Sequence, residues 1–231
     1  MKTNSRYKFK YKFFLRLRTV INKKILKFRK KKWVGLKRFL QKKRYRFYNN
    51  SLYLIAKNPK FFRNSYKLRL LSKQRLNSYY GRLTDKQLKY LCKTSIKINN
   101  IKPKSNRTED VLLTLLEKRL ETIIFRAHFA GSIQSARQLI THGNILVNGR
   151  KVFSGNTIVY QGDLIEVSTN INKIVNQNIK KSRVWPLTPP HLEINYKTLN
   201  IILIDEISAK NLYSFFPFWL NIKSVMFYYK K

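Results

Sequence analysis

Cysteine is almost missing from this sequence. Cys92 stands alone in 231 residues, so no disulfide can close within the chain and no cysteine-rich zinc site can form. A lone thiol of this kind reads as a small apolar residue of the interior. Acidic residues are scarce as well, 10 against 50 Lys and Arg, and none occurs before Asp85. Glycine numbers only seven, and no glycine-rich loop is present to cradle a phosphate. The three histidines, His128, His142 and His191, lack the spacing of metal ligands. No catalytic constellation, metal set, cofactor motif or small-molecule site is legible. Nor does any apolar run approach the roughly 20 residues needed to cross a bilayer; the stretch from Phe215 to Ile222 is short and interrupted by Pro217.

What is present is positive charge, a formal net +40. A compact molecule so charged repels itself and needs a polyanion. Nucleic acid is the strongest candidate, because a phosphate backbone rewards Lys and Arg through counterion release whatever its bases. A membrane surface would call for an amphipathic basic helix with a clean apolar face, whereas the basic arm here interleaves aromatics with cations. The apolar fraction of 43% is enough to build a core. Aromatics, 14% of the chain, can stack on bases. They also fit an AT-rich coding bias of the kind common in organelle genomes.

Charge divides the chain. Up to Arg82 there are 28 Lys and Arg and no acid. Residues 107–170 hold seven basic and six acidic residues, the balance of an ordinary folded module. The polar stretch from Ile98 to Asn106, with Pro103 blocking a helix, reads as one linker. The Asn- and Lys-rich stretch from Thr169 to Ser182 reads as another. The expected regions are therefore a basic, mainly helical one over 1–106, a module over 107–170, and a linker with a C-terminal segment over 171–231 that packs back on the first. Residues 1–60 form an arm whose crowded cations would order on RNA. Met1 to Arg46 has the acid-free basicity of a mitochondrial transit peptide, but it is Lys-rich and aromatic, with no evident end, and we read it as mature protein.

Local signals place the elements. Leu68 to Tyr80 has helical spacing and ends at Gly81. Thr84-Asp-Lys-Gln87 fits a capping box, opening a helix from Asp85 to about Lys97. Leu112, Leu116, Ile123 and Ala127 follow one helical period with Glu109 and Asp110 in its first turn, and Gly131 would end that helix. Ser132 then caps a shorter helix with Ile133, Ala136, Leu139 and Ile140 on one face. Gln134, Arg137, Gln138 and Thr141 share the other at i, i+3, i+4, i+7. That second stripe has donors and no carboxylate, suited to phosphate, ribose or base edges, although a solvated face would look similar. His142 and Gly143 end the helix. Ile145 to Val147 reads as a strand and Asn148-Gly149 as a type I′ turn, with Arg150 and Lys151 starting the return strand. Thr157–Val159 and Leu164–Val167 read as further strands around Gln161-Gly-Asp163. The fold class is α+β: a mostly helical basic region, a compact helix–helix–small-sheet module and a short C-terminal extension.

The run Ser135-Ala-Arg-Gln-Leu-Ile-Thr-His-Gly-Asn-Ile-Leu-Val-Asn-Gly-Arg150, with Arg119-Leu120 before it and Gln161-Gly-Asp-Leu-Ile-Glu-Val167 after it, resembles the RNA-binding domain named after small-subunit ribosomal protein four. Ser154-Gly-Asn156 departs from the family's frequent Pro-Ser turn. The flanks resemble the ribosomal protein itself. Lys73 to Leu88 is similar to the segment that precedes the domain. Pro190-His-Leu-Glu193 is similar to its C-terminal turn, where Trp commonly stands for this His. Val225 to Tyr228 is similar to its closing strand.

The resemblance implies a structural protein of the small ribosomal subunit, without catalysis, that binds the five-prime domain of the small-subunit ribosomal RNA at a multi-helix junction. It would bind early in assembly, beside other small-subunit proteins, near where messenger RNA enters. It also implies RNA contacts at Arg119, Arg126, Gln134, Arg137, Gln138, His142, Asn148, Arg150 and Lys151, and upstream at Lys73, Arg75, Tyr80 and Arg82. Composition and the absence of an Arg/Gly-rich opening favour a mitochondrial, organelle-encoded member over a plastid one. The same domain occurs in pseudouridine synthases, ribosomal RNA methyltransferases and free ribosome-associated factors. The first two would need a catalytic Asp in its own sheet or a glycine-rich cofactor loop, and neither is visible among the 64 residues after Val167. The third would lack the segment around Tyr80-Gly81.

Overall fold

A computed structural model of the chain describes residues 17, 65–101, 107–182, 188–205, 216 and 220–229. The arm over 1–60, apart from Leu17, lies outside the described residues, and so does the Pro103 linker beyond Ile101. In chain order the described elements are α1 (Ser65–Tyr79), α2 (Asp85–Ile101), α3 (Thr108–Glu117), α4 (Leu120–Arg126), α5 (Ile133–Thr141), β1 (Ile145–Val147), β2 (Arg150–Lys151), β3 (Leu164–Val167), α6 (Asn172–Ser182), β4 (Leu192–Asn195), β5 (Asn200–Leu203) and α7 (Ile222–Tyr229). The fold is α+β, with a single antiparallel sheet among the described residues. None of the described helices is long and apolar enough to cross a membrane.

The chain separates into two compact units, one comprising Met1–Tyr79 with Tyr213–Lys231 and the other Tyr80–Leu212. In the first, α1 packs against α7, burying Leu76, Leu220, Ile222 and Val225. The segment expected as a closing strand, Val225 to Tyr228, is thus helical. Its apolar side chains bury at a helical interval, Ile222 and Val225 three residues apart, which suits packing on a helix rather than on a sheet edge.

In the second unit α2 packs on α3, α4 on α5, and the sheet runs in the order β2-β1-β3-β5-β4. The capping box forms as expected: Thr84 N–H donates to Gln87 Oε1 at 3.1 Å and Gln87 N–H to Thr84 Oγ1 at 3.3 Å. The core is apolar, with Leu88, Leu112, Leu116, Ile123, Phe129, Ile140, Ile145, Ile165 and Ile201 almost fully enclosed. The composition-based boundary at residue 106 does not coincide with the division into units, because α2 belongs with the module.

Four other local expectations are corrected. The helix expected from Glu109 through Ala127 is two helices. It breaks at Arg119, whose extended backbone (φ −71°, ψ 134°) makes an antiparallel bridge to Ile158. Helix α4 ends at Arg126 rather than at Gly131; His128 takes the left-handed conformation (φ 65°) that a helix-ending residue often adopts. Residues 157–159 contribute that one bridge instead of a strand. The stretch expected as a linker over 169–182 is a short 3-10 turn (Thr169–Ile171) running into α6. Ile171 and Val175, four apart, are buried, and Asn178 Nδ2 donates to the Phe129 carbonyl at 3.0 Å.

Candidate nucleic-acid interface

Helix α5 and the β1–β2 hairpin present the largest group of the expected contact residues. The helix is placed by its ends. Ser132 Oγ accepts from Ser135 N–H at 3.1 Å, satisfying one of the open donors of the first turn. At the other end Gly143, at φ 67°, donates to the Ile140 carbonyl at 2.8 Å, and Asn144 N–H reaches Leu139 O at 3.2 Å. Ile133, Ala136 and Ile140 point inward. That leaves Gln134 and Arg137 half-buried and Gln138 and His142 exposed.

The hairpin pairs Leu146 with Lys151 and Val147 with Arg150. Asn148 (φ 51°) and Gly149 (φ 76°) give the turn the two left-handed residues of type I′. Arg150 and Lys151 are exposed. Gln134, Gln138, His142, Arg150 and Lys151 have no side-chain partner among the described residues. Asn148 is exposed but engaged: Nδ2 donates to Asp163 Oδ1 and Oδ1 accepts from Leu164 N–H, each at 2.9 Å. Its role is to hold the hairpin tip.

Arg137 lies at the edge of a buried network. Its Nε donates to Glu121 Oε2 at 2.7 Å, with the arginine side chain 29% exposed and the glutamate fully enclosed. The other oxygen of Glu121 accepts Arg119 Nη2 at 2.6 Å, and Arg119 also donates to Asn156 Oδ1. A Cβ on Gly155 would stand 3.0 Å from Glu121 Oε2, so the Ser154-Gly-Asn156 loop, where the sequence departs from the family's frequent Pro-Ser turn, closes over this carboxylate. Arg137 is thereby oriented from inside while part of it stays at the surface.

A second buried carboxylate, Glu117, takes Arg126 through Nε at 3.0 Å and Nη2 at 2.7 Å, and the Tyr80 hydroxyl at 2.7 Å. Burial alone would raise the Glu117 pKa; the Arg126 charge and the Arg126 and Tyr80 hydrogen bonds overcome it and hold the carboxyl below its usual range. His191 is buried too. Burial lowers its pKa, with Glu117 opposing and Arg126 assisting.

The structure therefore divides the thirteen expected contacts. Gln134, Arg137 and Gln138 lie on α5, His142 at its C-terminal end, and Asn148, Arg150 and Lys151 on the hairpin that follows. Arg119, Arg126 and Tyr80 are inside the second unit, paired with carboxylates, and act on its scaffold. Arg82 is half-buried in the left-handed conformation (φ 59°) next to Gly81. In the first unit Arg75 is buried and donates Nε to the Leu17 carbonyl at 2.9 Å. Lys73, also buried, has its ammonium 4.2 Å from the centroid of the Tyr228 ring. Sequence reasoning missed Glu117 and Glu121 as organisers. The available signal was the near-neutral balance of residues 107–170, in which cations and acids have one another to pair with.

The sequence profile of the family described as "S4 domain" matches residues 118–165, the stretch that carries α4, α5 and the hairpin. Over longer spans the chain is similar to proteins named small ribosomal subunit protein. It is 37% identical over 150 residues to uS4c of Chlorella vulgaris, covering 65% of this chain and 69% of that one. With uS4m of Reclinomonas americana it shares 33% over 188 residues, 77% of this chain and 72% of the relative. With uS4 of Borrelia duttonii the figure is 32% over 168 residues, covering 72% and 76%.

Proposed function

The chain belongs to the uS4 family of small ribosomal subunit proteins, and from that premise we propose that it docks on small-subunit ribosomal RNA through α5 and the β1–β2 hairpin. It is a structural constituent of the small subunit that binds ribosomal RNA, with neighbouring ribosomal proteins around it, and it is not an enzyme. The observation that carries the docking surface is the set Gln134, Arg137, Gln138, His142, Arg150 and Lys151. These donors lie on elements that follow one another in the chain, and four of the six side chains are exposed. The hairpin cations have no carboxylate partner among the described residues. Arg137, half-buried, is held along its Nε edge by Glu121, so a phosphate meets a guanidinium already ordered at reduced entropic cost.

The RNA segment bound is a helical junction in the five-prime domain, which the protein stabilises early in assembly by neutralising converging phosphates, with messenger RNA passing nearby. An organellar ribosome fits the relatives and the composition, and we place the protein in the mitochondrial one, encoded by the organelle. The test is a titration of the full chain against a transcript of the five-prime domain and against an unrelated structured RNA of equal length, at several salt concentrations. The reading expects the five-prime domain to be preferred at every salt. Equal affinity for both RNAs would contradict it.

A further inference from the structure

Helix α2 has two unlike sides. Leu88, Leu91, Cys92 and Ser95 are buried, where the helix packs on α3. Lys86, Lys89, Lys93 and Lys97 are all exposed, and at 3.6 residues per turn they fall within an arc of about 80°. Tyr90, 69% exposed, lies at the edge of the same arc. No acid follows Asp85 before Glu109, and none of the four lysines has a partner among the described residues. Lys86–Lys89, Lys89–Lys93 and Lys93–Lys97 stand three or four residues apart, where like charges destabilise a helix. This face is therefore unfavourable until an anion covers it.

The spacing suggests which anion. Steps of three and four residues advance about 4.5–6 Å along a helix, the order of the distance between successive phosphates of one nucleic acid strand. Lysine is a flexible point charge that suits a phosphate without demanding a fixed fork geometry. An exposed aromatic beside such a row is what stacks on bases or sugars in backbone-tracking RNA surfaces.

We propose that this face of α2 is a second RNA-binding surface, separate from α5 and the hairpin. On it Lys86, Lys89, Lys93 and Lys97 follow the phosphates of one RNA strand and Tyr90 packs on a sugar or base. The inference rests on the ribosomal reading and adds to it that the second unit grips RNA at two places.

The probe is the full chain with a transcript of the five-prime domain of small-subunit ribosomal RNA. Replacing all four lysines (Lys86→Gln, Lys89→Gln, Lys93→Gln, Lys97→Gln) makes the slope of log affinity against log salt shallower by about 3, at roughly 0.7–0.9 per phosphate contact. Hydroxyl-radical protection disappears from one RNA segment and survives in another. The corresponding four Lys→Arg changes keep the wild-type slope. Tyr90→Ala weakens binding about tenfold without altering it. If the fourfold variant does not fold, the single substitutions carry the test, each removing about 0.8 from the slope. An unaltered slope, or protection lost everywhere at once, overturns this inference while leaving the ribosomal reading intact. A wild-type chain that does not bind the transcript at all overturns both.

Discussion

Tyr80 donates its hydroxyl to Glu117 across 2.7 Å, and the oxygen it reaches is also the one that receives Arg126 Nη2. All three groups are buried. A buried arginine without its carboxylate is an uncompensated charge in a poor solvent for it.

Glu117→Ala is therefore expected to destabilise the folded chain by about 3–5 kcal/mol, the usual cost of removing one partner of a buried pair. Tyr80→Phe removes a hydrogen bond to a charged acceptor and costs roughly 1.5–3 kcal/mol. Urea unfolding followed by circular dichroism measures both. A loss below 1 kcal/mol for Glu117→Ala would show that the pair is not a support of the module.

Acidification should act through the same cluster. The Glu117 carboxyl is held below its ordinary 4.5 in the folded chain. Its contribution is present above that value and is lost as the pH falls through the lowered one. The folded-state pKa of His191 is also lowered, from 6.5. The unfolded chain then takes up the proton more readily, and stability begins to decline as the pH drops below about 6.5. Melting temperature measured from pH 7.5 down to about pH 2 should fall in two stages, the second below 4.5, and His191→Phe should abolish the first.

Arg137 and Arg119 share Glu121, one on each oxygen. Arg137→Ala is expected to weaken RNA binding by roughly 1–3 kcal/mol, as for lost charge-assisted hydrogen bonds. Glu121→Gln should lower both stability and affinity, because it loosens the arginine it orients and leaves Arg119 buried beside a neutral group. Equal affinity for Arg137→Ala and wild type in a filter-binding titration would remove that residue from the interface.

Arg150 and Lys151 are exposed at the hairpin and unsupported from within. The double change Arg150→Ala and Lys151→Ala should leave stability within about 0.5 kcal/mol of wild type. The salt slope of RNA binding should become shallower by roughly 1.5. A changed melting temperature with an unchanged slope would reassign them to structure.

Gly81 is at φ +71°, and a Cβ there would lie 2.8 Å from Ile133 Cγ2. Gly81→Ala meets both a left-handed backbone, about 1–2 kcal/mol for a residue with a side chain, and the first turn of α5. A loss of more than 1 kcal/mol is expected in thermal unfolding. A neutral effect would mean that the approach to Ile133 is not tight in solution.

The capping box at Thr84 and Gln87, the Ser132 cap, the Gly143 ending and the Asn148-Gly149 hairpin are settled by interactions a few residues long. Each was readable from the chain alone. The break between α3 and α4 was not. Leu112, Leu116, Ile123 and Ala127 keep helical intervals across it, and its cause lies far away, where Arg119 meets Ile158 and Asn156. Helix α6 was obscured by its Asn and Lys content. Its apolar residues Ile174, Val175 and Ile179, with Ile171 of the preceding 3-10 turn, nonetheless recur at helical spacing.

The same distinction applies to the site. Exposed cations on a regular face, such as Arg150 and Lys151, can be read as ligands for RNA. Arg119 and Arg126 look identical in sequence, yet they are turned inward by Glu121 and Glu117. In a chain with a net charge of +40, an arginine is expected to face RNA unless a carboxylate is found for it. Glu117 lies nine positions from Arg126, an interval with no helical meaning across the break.

The most direct test of the central claim is sedimentation of organelle lysate on a sucrose gradient after a high-salt wash, with the protein and the small-subunit RNA both quantified. An integral ribosomal protein stays with the small subunit at close to one copy per RNA. Release by the wash, or confinement to precursor particles in much smaller amount, would contradict the account and point to an assembly or modifying factor.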